Sequence, residues 1–248
     1  MKYKITEETI QHEGVTLYRI QALVDIPSIG VKAGDLGGWI AGEHNLSQEG
    51  NAWVSEDAKV FEDAEVYGNA WVSGNAEVFG DAKVYGNAWV SEDARVFENA
   101  LVSGDAWVSG NAEVFGDAIV YGNAKVYGNA WVSEDAKVFE DAEVYGYAWV
   151  FGNAWVYGNT LVYVKARVFG DAIVYGNAWV FEDAWVYENA CVFGNALVSG
   201  DAKVYGNALV SENAIVYGNA KVFGNAKVYG NAKVFGDAWV FEDAEVYD

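Results

Sequence analysis

Residues 51–248 are predicted to fold as an all-β parallel solenoid, a ribbon of very short strands wound into coils that stack on one another. Three observations predict it. From Asn51 the chain divides without a gap into 33 hexads of the form Asn/Asp, Ala, variable, Val, aromatic or Ser, Gly/Glu. The second position is Ala everywhere except Thr160, and the fourth is Val from Val54 to Val246. Side-chain identities also correlate at a spacing of 18 residues, or three hexads.

The hexad dictates its own local structure. Ala and Val stand two residues apart, so in extended chain both point to one face, while the variable residue and the aromatic point to the other. The remaining pair, such as Gly68-Asn69 or Glu56-Asp57, is where the chain must bend, and Gly and Asn tolerate left-handed backbone. Apolar residues recur at 2 and 6 rather than at 3 to 4, and Gly interrupts most repeats, which excludes helix. Strands this short cannot bury Val unaided, so coils must stack.

Charge placement supports three hexads per coil. Glu56 and Glu92 are separated at the 18-residue spacing by Gly74, and Glu62 and Glu98 by Gly80, which keeps like charges out of adjacent rungs. Lys59, Glu77, Arg95 and Glu113 follow at the same spacing with alternating sign. Thirty-three hexads then make 11 coils, a rod of roughly 53 Å at about 4.8 Å per rung.

Residues 1–50 read as a separate β-rich cap. Tyr3–Thr6 and Thr16–Leu23 have strand character, with His12-Glu13-Gly14 as the turn between them. A solenoid needs its terminal rung covered against edge pairing, and this unit is expected to do that. The last hexad, Asp243–Asp248, is complete with no cap after it, so Val246 and Tyr247 are expected on an open rung suited to end-to-end association.

Composition narrows the function classes. There are 36 acidic against 15 basic residues, a formal net charge of −21. Unspecific attraction to nucleic acid or anionic membrane is disfavoured, and partners are expected to be a second copy, another protein or a glycan. The start MKYKITEETI lacks the apolar core of a signal peptide, no run of about 18 apolar residues occurs, and a cytoplasmic location or a place in a phage particle is expected. Cys191 is the only cysteine and falls at an outward variable position as a free thiol.

The repeat resembles the hexapeptide repeats of left-handed β-helices found in trimeric acyltransferases, in which an aliphatic and a small residue point inward. Left-handedness is implied by this resemblance, which covers about four-fifths of the chain. Gly37-Gly38-Trp39-Ile40 and Asn45-Leu46-Ser47-Gln48-Glu49-Gly50 also resemble the N-terminal region of acetyltransferase-like hexapeptide proteins of enteric bacteria and prophages. The acyltransferases generally use a histidine as general base beside a loop thrown out from the coils. Here the repeats contain no histidine and no insertion. His12 and His44 both precede them, and His44 would be the only candidate base in an acetyl-coenzyme A dependent alternative. No catalytic residue, cofactor or metal site is assigned. The Asp and Asn rows offer oxygen ligands that suit calcium, but the same residues stabilise tight turns and bond neighbouring rungs.

Outward aromatics are the dominant surface feature. Trp53, Trp71, Trp89 and Trp107 should form one column, each followed two residues later by Ser, and Phe61, Phe79, Phe97 and Phe115 a second. Contiguous exposed aromatics mark interfaces, although cross-strand ladders also stabilise thin sheets. Gly50–Gly68 recurs identically as Gly128–Gly146, 13 hexads on, which moves the copied tryptophans to Trp131 and Trp149 one face around. That shift favours a structural ladder over a ligand track running the whole stack. One stretch departs from consensus: Tyr147 replaces Asn or Asp, Thr160 replaces Ala, and Val164-Lys165 stands where a corner should turn, with Lys165 expected to strain in a left-handed conformation. The function expected is a non-enzymatic structural or scaffolding solenoid that docks through aromatic faces and the open rung. Two alternatives are a divergent acyltransferase and an acidic decoy for a basic partner.

Overall fold

The computed structural model describes all 248 residues and forms two compact units, Met1–Gly122 and Asn123–Asp248. Both contain the predicted parallel β-solenoid. Each hexad contributes a strand, in most cases two residues long, at its third and fourth positions, such as Trp53–Val54 and Trp131–Val132. The Ala and Val rows are buried except at the final hexads, where Ala238 and Ala244 are exposed and Val246 is half-buried, and the variable and aromatic positions face outward.

So short a strand is held by the next coil. In one repeat Trp53 N–H donates to Ala70 O at 3.0 Å, Ser55 N–H to Val72 O at 2.9 Å, and Asp57 N–H to Gly74 O at 3.0 Å. The pattern recurs through both units and fixes a coil at 18 residues. The corner closes locally as well, with Ala58 N–H donating to Ser55 O at 3.2 Å. The two corner positions do different work, where the sequence reading gave left-handed backbone to both. Only the sixth adopts positive φ, for example +69° at Gly74 and +58° at Glu56. The first position keeps negative φ and spends its side chain instead: Asn51, Asn69 and Asn87 each donate Nδ2–H to the Oδ1 18 residues on, ending at Asp105. A carboxylate has no N–H, so an aspartate can only be the accepting end of such a run.

Left-handed glutamate is costly by about 1–2 kcal/mol, and here it has a compensation. Glu56 Oε2 accepts from Gly74 N–H at 2.8 Å, and Glu62 and Glu98 do the same with Gly80 and Gly116. The glycine above each glutamate therefore does more than separate charges. The expected strain at Lys165 falls instead on Val164, at φ +66°. Val164 occupies the sixth position, and it is position within the hexad that selects the left-handed residue.

In the first unit β1 (Tyr3–His12) and β2 (Val15–Ala22) form an antiparallel hairpin turning at Glu13-Gly14. β3 (Leu36–Ile40) pairs antiparallel with β2 and parallel with the first Lys-Val strand, Trp39 opposite Lys59. Leu46 bridges in parallel to Val66. Parallel pairing thus begins near Leu36, ahead of the expected boundary at residues 50 and 51. Gly37 and Gly38 permit this: a Cβ on Gly37 would lie 2.5 Å from Ile20 Cγ1 and 2.7 Å from Trp53 Cζ2, and one on Gly38 2.6 Å from Ala58 O. The hairpin is tied down by Tyr3, whose hydroxyl donates to Leu46 O at 2.7 Å, and by Lys2, whose Nζ donates to Ala52 O at 2.6 Å. Burial lowers the Lys2 pKa to about 8.

Four coils follow in register. Trp53, Trp71, Trp89 and Trp107 align, as do Lys59, Glu77, Arg95 and Glu113. The second unit has seven coils. One of its columns runs Trp131, Trp149, Arg167, Trp185, Lys203, Lys221, Trp239.

The charge ladder of the first unit closes on Glu77, which is 15% exposed. Its Oε1 lies 3.2 Å from Lys59 Nζ and 3.0 Å from His12 Nε2, and its Oε2 lies 3.4 Å from Arg95 Nε. The substitution Glu77→Lys replaces the shared anion by a third cation. It is expected to lower unfolding free energy by about 2–3 kcal/mol at low salt and by less at high salt, where the repulsion is screened. Urea unfolding at two ionic strengths checks this, and unchanged stability at low salt would contradict the ladder.

Candidate functional site

The sequence-derived surface residues divide once placed. Trp71, Trp89 and Trp107 form the expected column, with ring centroids 5.0 and 5.6 Å apart. Trp53 does not belong to an exposed face. It is 1% accessible, set edge-on to Tyr3 at 6.4 Å beneath the hairpin. Phe61 is likewise fully buried against Leu17 and Trp39, with His12 edge-on at 5.3 Å. The cap covers the first member of each column, so only later members meet solvent. Phe79, Phe97 and Phe115 continue as parallel stacks at 5.0 and 4.9 Å.

The serines accompanying the tryptophans have a specific use. Each indole reaches back to the serine of the preceding coil: Trp71 Nε1–H donates to Ser55 Oγ at 2.8 Å, Trp89 to Ser73 at 3.0 Å and Trp107 to Ser91 at 3.2 Å. The indole donor is satisfied without a ligand. Aromatic stacks of this kind recur in the second unit, for example Phe151, Phe169, Tyr187 and Tyr205 at 4.8–4.9 Å.

His44 is exposed on a shallow hollow of about 290 Å³ lined also by Ser47, Glu65, Val66 and Tyr67, whereas His12 is half-buried. His44 Nε2 lies 2.8 Å from Glu62 O, and its neighbour Asn45 is buried, donating to Glu62 O and Ala64 O at 2.9 Å. His12, at the end of β1, lies beside Glu77. His12, Glu13 and Glu77 present ligand atoms within 4.8 Å of one another, but Glu77 already faces Lys59 and Arg95, and two cations at the same carboxylate oppose a metal ion there. Cys191 is half-buried, and burial pushes its thiol pKa up, away from thiolate reactivity.

Two surface features of the second unit stand apart from these ladders. Val246 is half-buried and Tyr247 is 67% exposed in the last coil. A hollow of about 480 Å³ there is lined by Trp239, Val240, Phe241, Ala244 and Val246. The second feature was not assigned from the sequence: a groove of about 590 Å³ between two columns. One wall is the corner column Tyr147, Lys165, Asp183, Asp201 and Asn219, and the other is the outward column Trp149, Arg167, Trp185, Lys203 and Lys221. The guanidinium of Arg167 lies over Trp149 at 4.6 Å and over Trp185 at 5.0 Å, and Lys203 Nζ lies over Trp185 at 4.5 Å. Tyr147 and Lys165, two of the consensus departures, sit at one end of it. The signal was available in the 18-residue spacing of Trp131 to Trp239, where aromatic and basic residues share one column.

Comparison with known proteins agrees with this architecture. The YdcK β-solenoid repeat family matches residues 166–182 and 202–218, stretches that include Arg167 and Lys203. No curated protein matches the chain. Among solved structures, LpxA from Acinetobacter baumannii is similar over 65% of this chain and 67% of its own, with a TM-score of 0.50 and 11% identity. That likeness shows the β-helix fold alone.

The tyrosine stacks titrate in a distinctive way. Burial, and in second place the Glu143 carboxylate, holds the Tyr127 hydroxyl well above its ordinary range, and burial raises Tyr145 and Tyr163 too. A raised folded-state pKa means stability that is fully present below the unfolded value of about 10 and is lost as pH rises above it. In an alkaline titration, tyrosinate absorbance is expected to lag behind a urea-denatured control and to rise together with loss of the circular dichroism signal. Coincident native and denatured curves would contradict the stacked arrangement.

Proposed function

We propose that this chain is a non-enzymatic structural or scaffolding module, and that it docks a second copy of itself through the coil spanning residues 231–248. The observation that carries the non-enzymatic reading is that the hexads contain no histidine and no insertion, which leaves only His12, set against Glu77, and His44, whose Nε2 lies 2.8 Å from Glu62 O. The acyltransferases that the repeat resembles need a free base beside a loop. Indole donors, asparagine amides and corner carboxylates are in large part engaged by the neighbouring coil, as expected of surfaces whose work is cohesion.

Support for docking is the apolar edge that residues 231–248 present, with Trp239, Val240, Phe241, Ala244 and Val246 around one hollow. Phe235, Trp239, Phe241 and Tyr247 are 44–67% exposed around that edge. Contiguous exposed aromatics beside apolar side chains are the kind of patch that marks a protein interface. A two-fold contact between like patches buries the aromatics of both copies at once. The setting proposed is the cytoplasm or a phage particle, where a cohesive acidic module resists unspecific association with nucleic acid.

Light scattering across a concentration series is expected to show dimers for the intact chain and monomers for Val246→Lys, which places a charge in the edge. Monomers at every concentration for both proteins would remove self-docking from the account. Binding of acetyl-coenzyme A that is lost in His44→Ala would favour the acyltransferase reading instead.

A further inference from the structure

We infer that the groove between the Tyr147–Asn219 and Trp149–Lys221 columns is a binding site for an extended acidic saccharide, a carboxylated sugar chain lying along the column axis. This inference is independent of self-docking, because it rests on a different surface.

The groove inverts the charge of the molecule around it. In a chain of net charge −21 it gathers Lys165, Arg167, Lys203 and Lys221 against only Asp183 and Asp201. Elsewhere in the second unit two outward lysines are neutralised by the next coil, Lys125 by Glu143 at 2.9 Å and Lys227 by Glu245 at 3.0 Å, and Lys137 lies over Trp155. None of the four groove cations has a carboxylate within 4.0 Å. Arg167, Lys203 and Lys221 rest on or beside indole rings, which hold their side chains upright and leave their N–H groups open.

Trp185 adds a donor. In the first unit each stacked indole N–H is spent on a serine of the preceding coil, but the residue in that place for Trp185 is Phe169, met edge-on at 6.1 Å. The groove therefore offers ammonium, guanidinium and indole donors on one wall and two carboxylate acceptors on the other. An anion needs the first set, and hydroxyl groups that donate need the second. A carboxylated sugar chain has both.

Nucleic acid fits less well. Asp183 and Asp201 would repel its phosphates, and the ring faces on which bases would stack are already covered: Trp149 by Trp131 at 5.2 Å and by Arg167, Trp185 by Arg167 and Lys203. The five positions from Trp149 to Lys221 span four rung intervals, about 19 Å, which suits an oligomer rather than a single sugar.

The test is calorimetric titration of the full chain with a galacturonic acid oligomer, its methyl-esterified form and a single-stranded oligonucleotide. Saturable binding of the acidic oligomer is expected, weaker by at least about tenfold for the ester and for the double variant Arg167→Gln with Lys203→Gln. Lys233→Gln, on another column, should bind unchanged, and melting curves confirm that all variants fold. Asp183→Asn with Asp201→Asn separates a sugar site from a bare polyanion patch: weaker binding is expected, and tighter binding would overturn the proposal. Absent binding, equal binding of the ester, or displacement of the sugar by the oligonucleotide at equal affinity would overturn it as well.

Discussion

Everything in this protein depends on one constraint: a strand of two residues keeps its place only if the residue 18 positions later sits on top of it. Three backbone hydrogen bonds per hexad pass to the next coil, and side chains align with their 18-residue neighbours as a result. Asparagine amides, corner glutamates, indoles and stacked phenols are all answers to what lies one coil away. The left-handed corner belongs to the same constraint, because a glutamate in strained backbone is tolerated where a glycine N–H above it donates to its carboxylate.

That economy shapes what the surface can do. A side chain bonded to its vertical neighbour is unavailable to a ligand, so chemistry can appear only where the ladder is interrupted. The interruptions are few and grouped. Asn or Asp becomes Tyr147 and Lys165 along one corner, serine becomes phenylalanine behind Trp185, and acidic partners are missing beside Arg167, Lys203 and Lys221. The resulting groove lies on one face of the second unit, while Glu77 in the first unit faces three basic groups from three strands and serves the cap.

Much of this was legible in the residues. The Ala and Val rows, the strand at positions three and four, the 18-residue coil and the Lys59-Glu77-Arg95 ladder all follow from periodicity and charge sign. What escaped sequence reasoning did so for physical reasons. Trp53 and Phe61 share the hexad pattern of their exposed successors, and only the hairpin packing over them buries them. Leu36–Ile40 lacks the hexad signature yet starts the parallel stack, because Gly37 and Gly38 let it approach Trp53 and Ala58 closely. The separate duties of Gly/Glu and Asn/Asp at the corner depend on φ, which composition does not report. The groove needed two columns to be seen side by side, and a linear reading takes one column at a time.

The central claim is the 18-residue register, and Cys191 offers the most direct measurement of it. Cys191 pairs with Ile173 one coil before it. In Ile173→Cys the two thiols would face each other at the rung spacing of about 4.8 Å, within the range of Cα separations that a disulfide bridges. Mild oxidation at alkaline pH should convert the monomer to an intrachain disulfide with no free thiol, whereas Trp179→Cys, on a different column, should keep both thiols. If Trp179→Cys closed instead, or neither variant did, the stacking register on which this account rests would be wrong.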